Sequence, residues 1–300
     1  MHAVVIRRIV FESNDFRIGH VVARPTSAEC GEVECQDENI LVLPLTGVFA
    51  KHDDARRHAI VTPNNAGLIA TGRPYRVSFP GGIGEKCLTF RFSDDVLTRI
   101  LPQAATPRGS ASPHLASSAL LPPAVMLARS LLCHRLAAGQ QDLLEIEELG
   151  SSLFASTLRA MLTDGRDDRR GDLGRSERGI ETVKEAISLD PERKWTLHDL
   201  ARLANVSPYH LSHIFRHKAG APVYRFVVRT RLAKALDAVL DTDAELAAIA
   251  HETGFASHSH FTTHFHEFFG LTPLQLRRRK NHATVSKVRK IMIAHKIQRR

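Results

Sequence analysis

The sequence predicts an α+β chain: an N-terminal antiparallel β-barrel or sandwich plus helices, then a C-terminal all-α domain made of two helix–turn–helix units. Three observations carry this. Up to residue 92 the apolar residues fall in short β-branched and aromatic runs separated by turn sequences. From residue 124 they recur near the helical period. After residue 179 one arrangement of caps, apolar triplets and glycines occurs twice.

The composition sets the frame. A chain of 300 residues is long enough for two domains, and 43% apolar with 24% charged residues is globular rather than disordered. No uncharged apolar run is long enough for a membrane span. MHAVVIRRIVFESNDF has no apolar stretch ending in a small-residue cleavage site, so a secretory signal is not expected and a cytoplasmic location is. Cys30, Cys35, Cys87 and Cys133 are too few for a disulfide scaffold, and reduced thiols are expected.

The elements follow in order. Residues 17–24, 39–49, 58–62, 67–71, 75–79 and 86–92 read as strands, divided by Pro63-Asn64-Asn65, Thr71-Gly72-Arg73-Pro74 and Pro80-Gly81-Gly82. In the last strand Leu88, Phe90 and Phe92 alternate with Cys87, Thr89 and Arg91. Ser93 is placed to cap a helix over 94–101, and the Pro-rich stretch 102–123 reads as a loop. Helices are predicted over 124–138 and 142–162, the second burying Ile146, Leu149, Leu153, Leu158 and Met161. The charged run 163–178 has almost nothing to bury and reads as a linker.

In the first repeated unit, a helix over 180–189 presents Ile180, Val183 and Ile187. Thr196 and Asp199 form a capping-box pattern, followed by Leu197, Leu200, Ala201 and Ala204 as a buried stripe. Asn205-Val206 turns the chain, and Ser207 with Pro208 starts the next helix. That helix buries Leu211, Ile214 and Phe215 and presents Tyr209, Ser212, His213 and Arg216 on the opposite face. Gly220 and Pro222 end the unit.

The second copy buries Leu246, Ile249 and Ala250, turns at Gly254, and caps at Ser257. It then buries Phe261, Phe265 and Phe268, with His258, Ser259, Thr262 and Thr263 facing away from or flanking them. Gly270 and Pro273 close it. A helix over 223–240 joins the copies and spans roughly 27 Å, comparable with the ~34 Å between successive major grooves of B-DNA. Charge agrees: residues 179–300 carry 20 Lys+Arg against 11 Asp+Glu, whereas 1–178 are balanced at 21 and 21. The basic half is therefore expected to meet a polyanion.

Residues 180–279 resemble the DNA-binding domain of the AraC/XylS family of bacterial transcription regulators. The likeness rests on Leu200-Ala201, Val206-Ser207-Pro208-Tyr209-His210-Leu211-Ser212, Phe215, Gly220, Arg231-Leu232 and Ala235. It continues through Ile249-Ala250, Gly254-Phe255, Ser257, Ser259-His260-Phe261, Phe265, Phe269-Gly270, Thr272-Pro273 and Arg277, and covers about a third of the chain. The resemblance implies one helix per major groove, with Tyr209, Ser212, His213, Arg216, His258, Ser259, Thr262 and Thr263 as the DNA-binding residues. Relatives often place longer polar side chains at Ser212 and His213 and Arg at Thr263, which implies fewer bidentate base contacts here. It also implies an N-terminal cupin-like β-barrel that binds an effector, followed by helices that pair two subunits.

The domain plan is thus 1–101 for a small-molecule effector, 102–162 for dimerisation, 163–178 as linker, 179–280 for DNA, and 281–300 as a basic tail. The expected partners are double-stranded promoter DNA, an effector of unknown identity, RNA polymerase and a second copy of the chain, with no membrane. No cofactor, catalytic residue or reaction is predicted, because no nucleophile elbow, phosphate loop or dinucleotide fingerprint occurs. Two rival readings stand beside this: a ligand-independent activator, and a cupin-type metalloenzyme with a DNA-binding appendage, for which His52 and His58 are the candidates. Cys30 and Cys35 sit among glutamates, which disfavours a reactive thiolate. His260 and His264, at i and i+4, have the spacing of a metal pair, and protonation of the cluster with His258 and His266 would strengthen phosphate contact.

Overall fold

The computed structural model describes residues 3–27, 29–54, 58–101, 115–137, 139, 142–162 and 174–278. The N-terminal part contains β1 (Ala3–Glu12), β2 (Arg17–Pro25), β3 (Asn39–Thr46), β4 (Phe49–His52), β5 (His58–Val61), β6 (Asn65–Ile69), β7 (Arg76–Ser78) and β8 (Glu85–Phe92). Then come α1 (Asp94–Ile100), β9 (Ser118–Leu120), α2 (Pro123–Ala137) and α3 (Leu143–Met161). The all-α part holds α4 (Gly174–Leu189), α5 (Leu197–Leu203), α6 (Pro208–Ala219), α7 (Val223–Asp241), α8 (Leu246–Glu252), α9 (His258–Phe269) and α10 (Pro273–Arg278).

The strands form an antiparallel six-stranded sheet, β1-β2-β8-β3-β6-β9, and a three-stranded sheet, β5-β4-β7. Strand β3 explains the layering. Leu41 and Leu43 join a core with α2 and α3, while Ile40 and Val42 join Phe49, Val61, Tyr75 and Phe79 of the small-sheet side. Alternate side chains of one strand thus serve two faces, so the large sheet lies between helices and the small sheet. Phe16, Phe90, Phe92 and Phe154 fill the helix side, with ring centroids 4.9–5.4 Å apart.

The closed cupin-like barrel expected from the family likeness is not formed by the described residues: β1 and β9 end the large sheet, and β5-β4-β7 remains separate. The predicted strand 39–49 is divided into β3 and β4 at Gly47, whose φ is +83° and where a Cβ would meet the Gly84 carbonyl oxygen at 2.1 Å. Strand β1 was absent from the sequence reading, and β9 falls in the stretch read as loop. The backbone of Ser93 is extended, but its side chain makes no cap bond to α1. The predicted linker is shortened at its end, because α4 begins at Gly174. Leu197 is 40% exposed rather than buried, and Pro273 opens α10 rather than only ending the unit. The rest of the linker, most of the loop over 102–123 and the tail 281–300 lie outside the described residues.

The cores do not follow a simple division into two domains. The cluster that fills the sheet and α2–α3 runs on through Val228, Leu232, Leu236 and Val239 of α7 to Phe261, Phe265 and Leu276. The first helix–turn–helix unit has its own core around Ile180, Val183, Leu211, Phe215 and Phe226. Helix α7 contributes to both, and 11 of its 19 residues are buried.

Candidate nucleic-acid interface

The sequence spells out both units locally. In the first, Thr196 Oγ1 accepts from Asp199 N at 3.1 Å while Asp199 Oδ2 accepts from Thr196 N at 3.3 Å, completing the capping box of α5. Asn205 takes φ 55°, a left-handed turn that Asn tolerates. Ser207 Oγ then accepts from His210 N at 3.2 Å, and Pro208 fills the first helical position of α6. Gly220, at φ 72°, ends it.

The second unit repeats the device. Gly254 has φ +84°, and a Cβ there would lie 2.6 Å from Glu192 Cα, so backbone conformation and space both require glycine. Ser257 Oγ accepts from His260 N at 3.1 Å to start α9, and Gly270 ends it at φ 73°. Phe261, Phe265 and Phe269 are the buried phenylalanines; Phe268 is half-buried, with the Arg229 guanidinium 4.8 Å from its ring centre.

Burying these faces leaves the others in water. On α6, Tyr209 is 86% exposed, and Ser212, His213 and Arg216 are exposed with it. On α9, His258, Ser259 and Thr263 are exposed and Thr262 is half-buried. Thr262 Oγ1 lies 3.4 Å from His258 Nε2. Spine helix α7 has 19 residues and spans roughly 28 Å between the units.

One residue that fixes the units' relative position carries part of the family likeness, but the sequence assigns it no contact. Arg231 on α7 donates from Nε to Pro191 O at 2.7 Å and from Nη2 to Arg193 O at 3.0 Å. Its guanidinium also packs against the turn at Gly254, which ties the α4–α5 loop to the second unit. The bonds join residues 38–40 positions apart, so no local pattern announces them.

The histidines behave unequally. His260 and His264 approach Nε2 to Nε2 at 2.9 Å, and among the described residues no three His, Cys, Asp or Glu side chains gather as a metal site. Burial, His264 and Arg231 together push His260 below the ordinary imidazole value. His52 and His58 stack across β4 and β5 at 5.4 Å, with His52 Nε2 2.9 Å from Ser78 Oγ. Cys30 and Cys35 are exposed.

The N-terminal sheets enclose a second feature, a cavity of 860 Å³ between the large sheet and the β4–β7 side. Its wall combines apolar residues such as Val21, Ile40, Val42 and Phe49 with polar ones on the strands around them. At one end Tyr75 donates to Glu34 at 2.8 Å and accepts from Gln36 at 2.9 Å, and burial with Glu34 beside it drives the phenol well above its usual value. Arg17 is paired with Glu38. At the other end Glu85 is pushed up to about 8 by burial.

Polar contacts join this unit to the helical part. Asn64 Nδ2 donates to Thr230 Oγ1 at 2.6 Å, Ser130 Oγ to Asp237 at 2.8 Å, and Ile60 N to Glu181 at 2.6 Å. His134 pairs with Asp241 at 2.8 Å. Arg129, fully buried, donates to the carbonyls of Pro44 and Pro63.

Two exposed polar helix faces, each set by the second helix of a helix–turn–helix unit and joined by one spine, define a tandem helix–turn–helix domain. Residues 200–279 match a family model described as a helix-turn-helix domain. The chain is 34% identical over 106 residues to the HTH-type transcriptional regulator GlxA of Rhizobium meliloti, covering 35% of this chain and 33% of that protein. It is 31% identical over 99 residues to an AraC-like transcription regulator of Streptomyces lividans, covering 33% of each. Among solved structures, an AraC family regulator from Rhodopseudomonas palustris aligns at 25% identity and a TM-score of 0.33, over 35% of this chain and 98% of that one. Residues 200–279 therefore form a helix-turn-helix domain, similar in sequence to those of AraC-like regulators. The match spans about a third of the length of these two curated relatives.

Proposed function

We propose that the chain is a sequence-specific DNA-binding transcription regulator whose two helix–turn–helix units enter successive major grooves of promoter DNA. The observation that carries this reading is the pair of exposed faces, Tyr209–Ser212–His213–Arg216 and His258–Ser259–Thr262–Thr263, set apart by the buried spine α7. The net positive charge of residues 179–300 supplies sequence-independent attraction for phosphates, and the two faces supply the readout. The DNA-binding part is 179–280, and 1–101 with 102–162 form the regulatory part.

An effector bound in the cavity controls the regulator. Val42 lines the cavity, Pro44 on the same strand accepts from Arg129, and Ser130 holds Asp237 on α7. A ligand that shifts β3 therefore biases how the spine is held. Helix α2 is buried within the chain, so pairing of two copies falls to the outer face of α3, where Leu143 and Leu144 are exposed. Contact with RNA polymerase is part of the same proposal. No helix among the described residues is long and apolar enough to cross a membrane.

Selection of bound duplexes from a random pool tests the reading. It is expected to return a bipartite sequence whose halves lie about one helical turn apart. Recovery of a pool without any preferred sequence would overturn it.

A further inference from the structure

The cavity holds a carboxyl group with one buried oxygen left unsatisfied. Glu85 lies at one end of β8, its Oε2 is buried, and that oxygen has no hydrogen-bond partner. No cation offsets it; burial alone holds it in the neutral form at pH 7. A neutral carboxyl both donates and accepts a hydrogen bond, and leaving it unmade inside apolar walls is costly.

The same wall carries an unpaired cation. In the strand register Arg7 of β1 stands opposite Val21 of β2, which stands opposite Cys87 of β8. Glu85 is one same-face step along from Cys87. Two strand spacings and one two-residue step put the two backbones roughly 12 Å apart. Arg7 lines the cavity, and its charge lowers the titration of both Tyr75 and Cys87 on the same wall. Among the described residues it makes no ion pair, whereas Arg17 is taken by Glu38 and Arg91 reaches Gln36 at 3.5 Å. Arg8 also lines the cavity, but it stands opposite His20, where its charge lowers that imidazole.

Between the two polar points the wall is Val5, Val21 and Ala23, faced by Phe49, Val77 and Phe79. A simple hydrocarbon tail would leave Glu85 unpaired. An ammonium would have to ionise a buried acid.

We propose that the cavity binds an elongated amphipathic carboxylate, its charged end on Arg7 and its far end an uncharged hydroxyl or carbonyl that hydrogen-bonds to Glu85. This rests on the reading of the cavity as the effector site, and names the chemical class it takes.

Calorimetric titration of the full chain with ω-hydroxy, unsubstituted and amino-alcohol probes of six to ten carbons tests it. 8-Hydroxyoctanoate is expected to bind about tenfold more tightly than octanoate, the worth of one buried hydrogen bond, and more tightly than 8-amino-1-octanol. Arg7→Gln should weaken every carboxylate about tenfold. Glu85→Gln, which keeps a neutral donor and acceptor, should bind 8-hydroxyoctanoate within about threefold of the parent. Glu85→Leu should erase the preference for the hydroxyl while octanoate still binds, which also shows that the variant is folded. Tightest binding by the amino alcohol with loss in Glu85→Gln, or no binding by any probe, would overturn the proposal. Duplex selection run on the same preparation separates the two readings: a sequence preference that survives the absence of probe binding removes the ligand class and leaves the DNA reading standing.

Discussion

Arg216 stands on the outer face of α6 with no ion pair among the described residues, so its charge is held for something outside the chain. Arg216→Ala is expected to weaken DNA binding by about 1–3 kcal/mol if it reads a base, and the loss then depends on the sequence bound. A uniform loss across sequences assigns it to phosphate, and competition titrations with cognate and random duplexes distinguish the two. Gly254→Ala should destabilise the second unit by on the order of 2 kcal/mol or more, read by denaturant unfolding, because it combines a positive φ with a Cβ 2.6 Å from backbone. Glu85 makes folding pH-dependent. Its carboxyl holds a proton to about 8 when folded but releases it near 4.5 when unfolded. Stability from this group is therefore greatest below pH 4.5 and falls as pH rises to 8. Glu85→Gln should raise the melting temperature at pH 8.5, by the equivalent of about 2–4 kcal/mol, and leave it unchanged at pH 4. Residue-scale features were unequally legible. Caps and turn residues (Thr196, Ser207, Gly220, Gly254, Ser257, Gly270) act on neighbours three or four positions away, and the sequence displays them. The pairing of Asn64 with Thr230 spans 166 positions and leaves no local trace.

At the scale of elements, α2 against α7 carries the join between the sheets and the helical part. Asp237 on α7 receives Ser130 Oγ, with Arg129, Asp241 and Lys86 around it, and burial raises it to about 6. An acid raised on folding favours the docked, protonated state: its contribution is full below pH 3.8 and declines as pH climbs through 6. Asp237→Asn should flatten that dependence, seen as α2 and α7 amide protection factors, corrected for the intrinsic exchange rate, that no longer rise on acidification from pH 7 to 5. Strand β1 shows why some elements escaped the sequence reading. In AVVIRRIVFE apolar pairs flank Arg7-Arg8, so no two-residue alternation appears. It is an edge strand exposed along most of its length, and it does not need one buried face. The start of α4, Gly-Arg-Ser-Glu-Arg, similarly has no apolar residue to mark it. Helix α3 and the second helices of the two units, α6 and α9, were legible because each repeats a buried stripe, and α7 because its apolar residues run along its whole length.

For the whole molecule the decisive quantity is the rigid distance between two outward faces. One helix, buried on nearly every side and shared between two cores, sets it, and Arg231 locks the first loop to the second turn. The candidate DNA face was legible because it is the complement of a buried pattern within single helices. The cavity was not, since Arg7, Val21, Glu85 and Phe49 meet there only through strand pairing across eighty residues. Deoxyribonuclease footprinting across the intergenic region next to the gene puts the spacing to its most direct test. Two protected patches on one side of the duplex, centred about 10 base pairs apart, are predicted. A single short protected patch, with the neighbouring groove open to cleavage, would contradict the account.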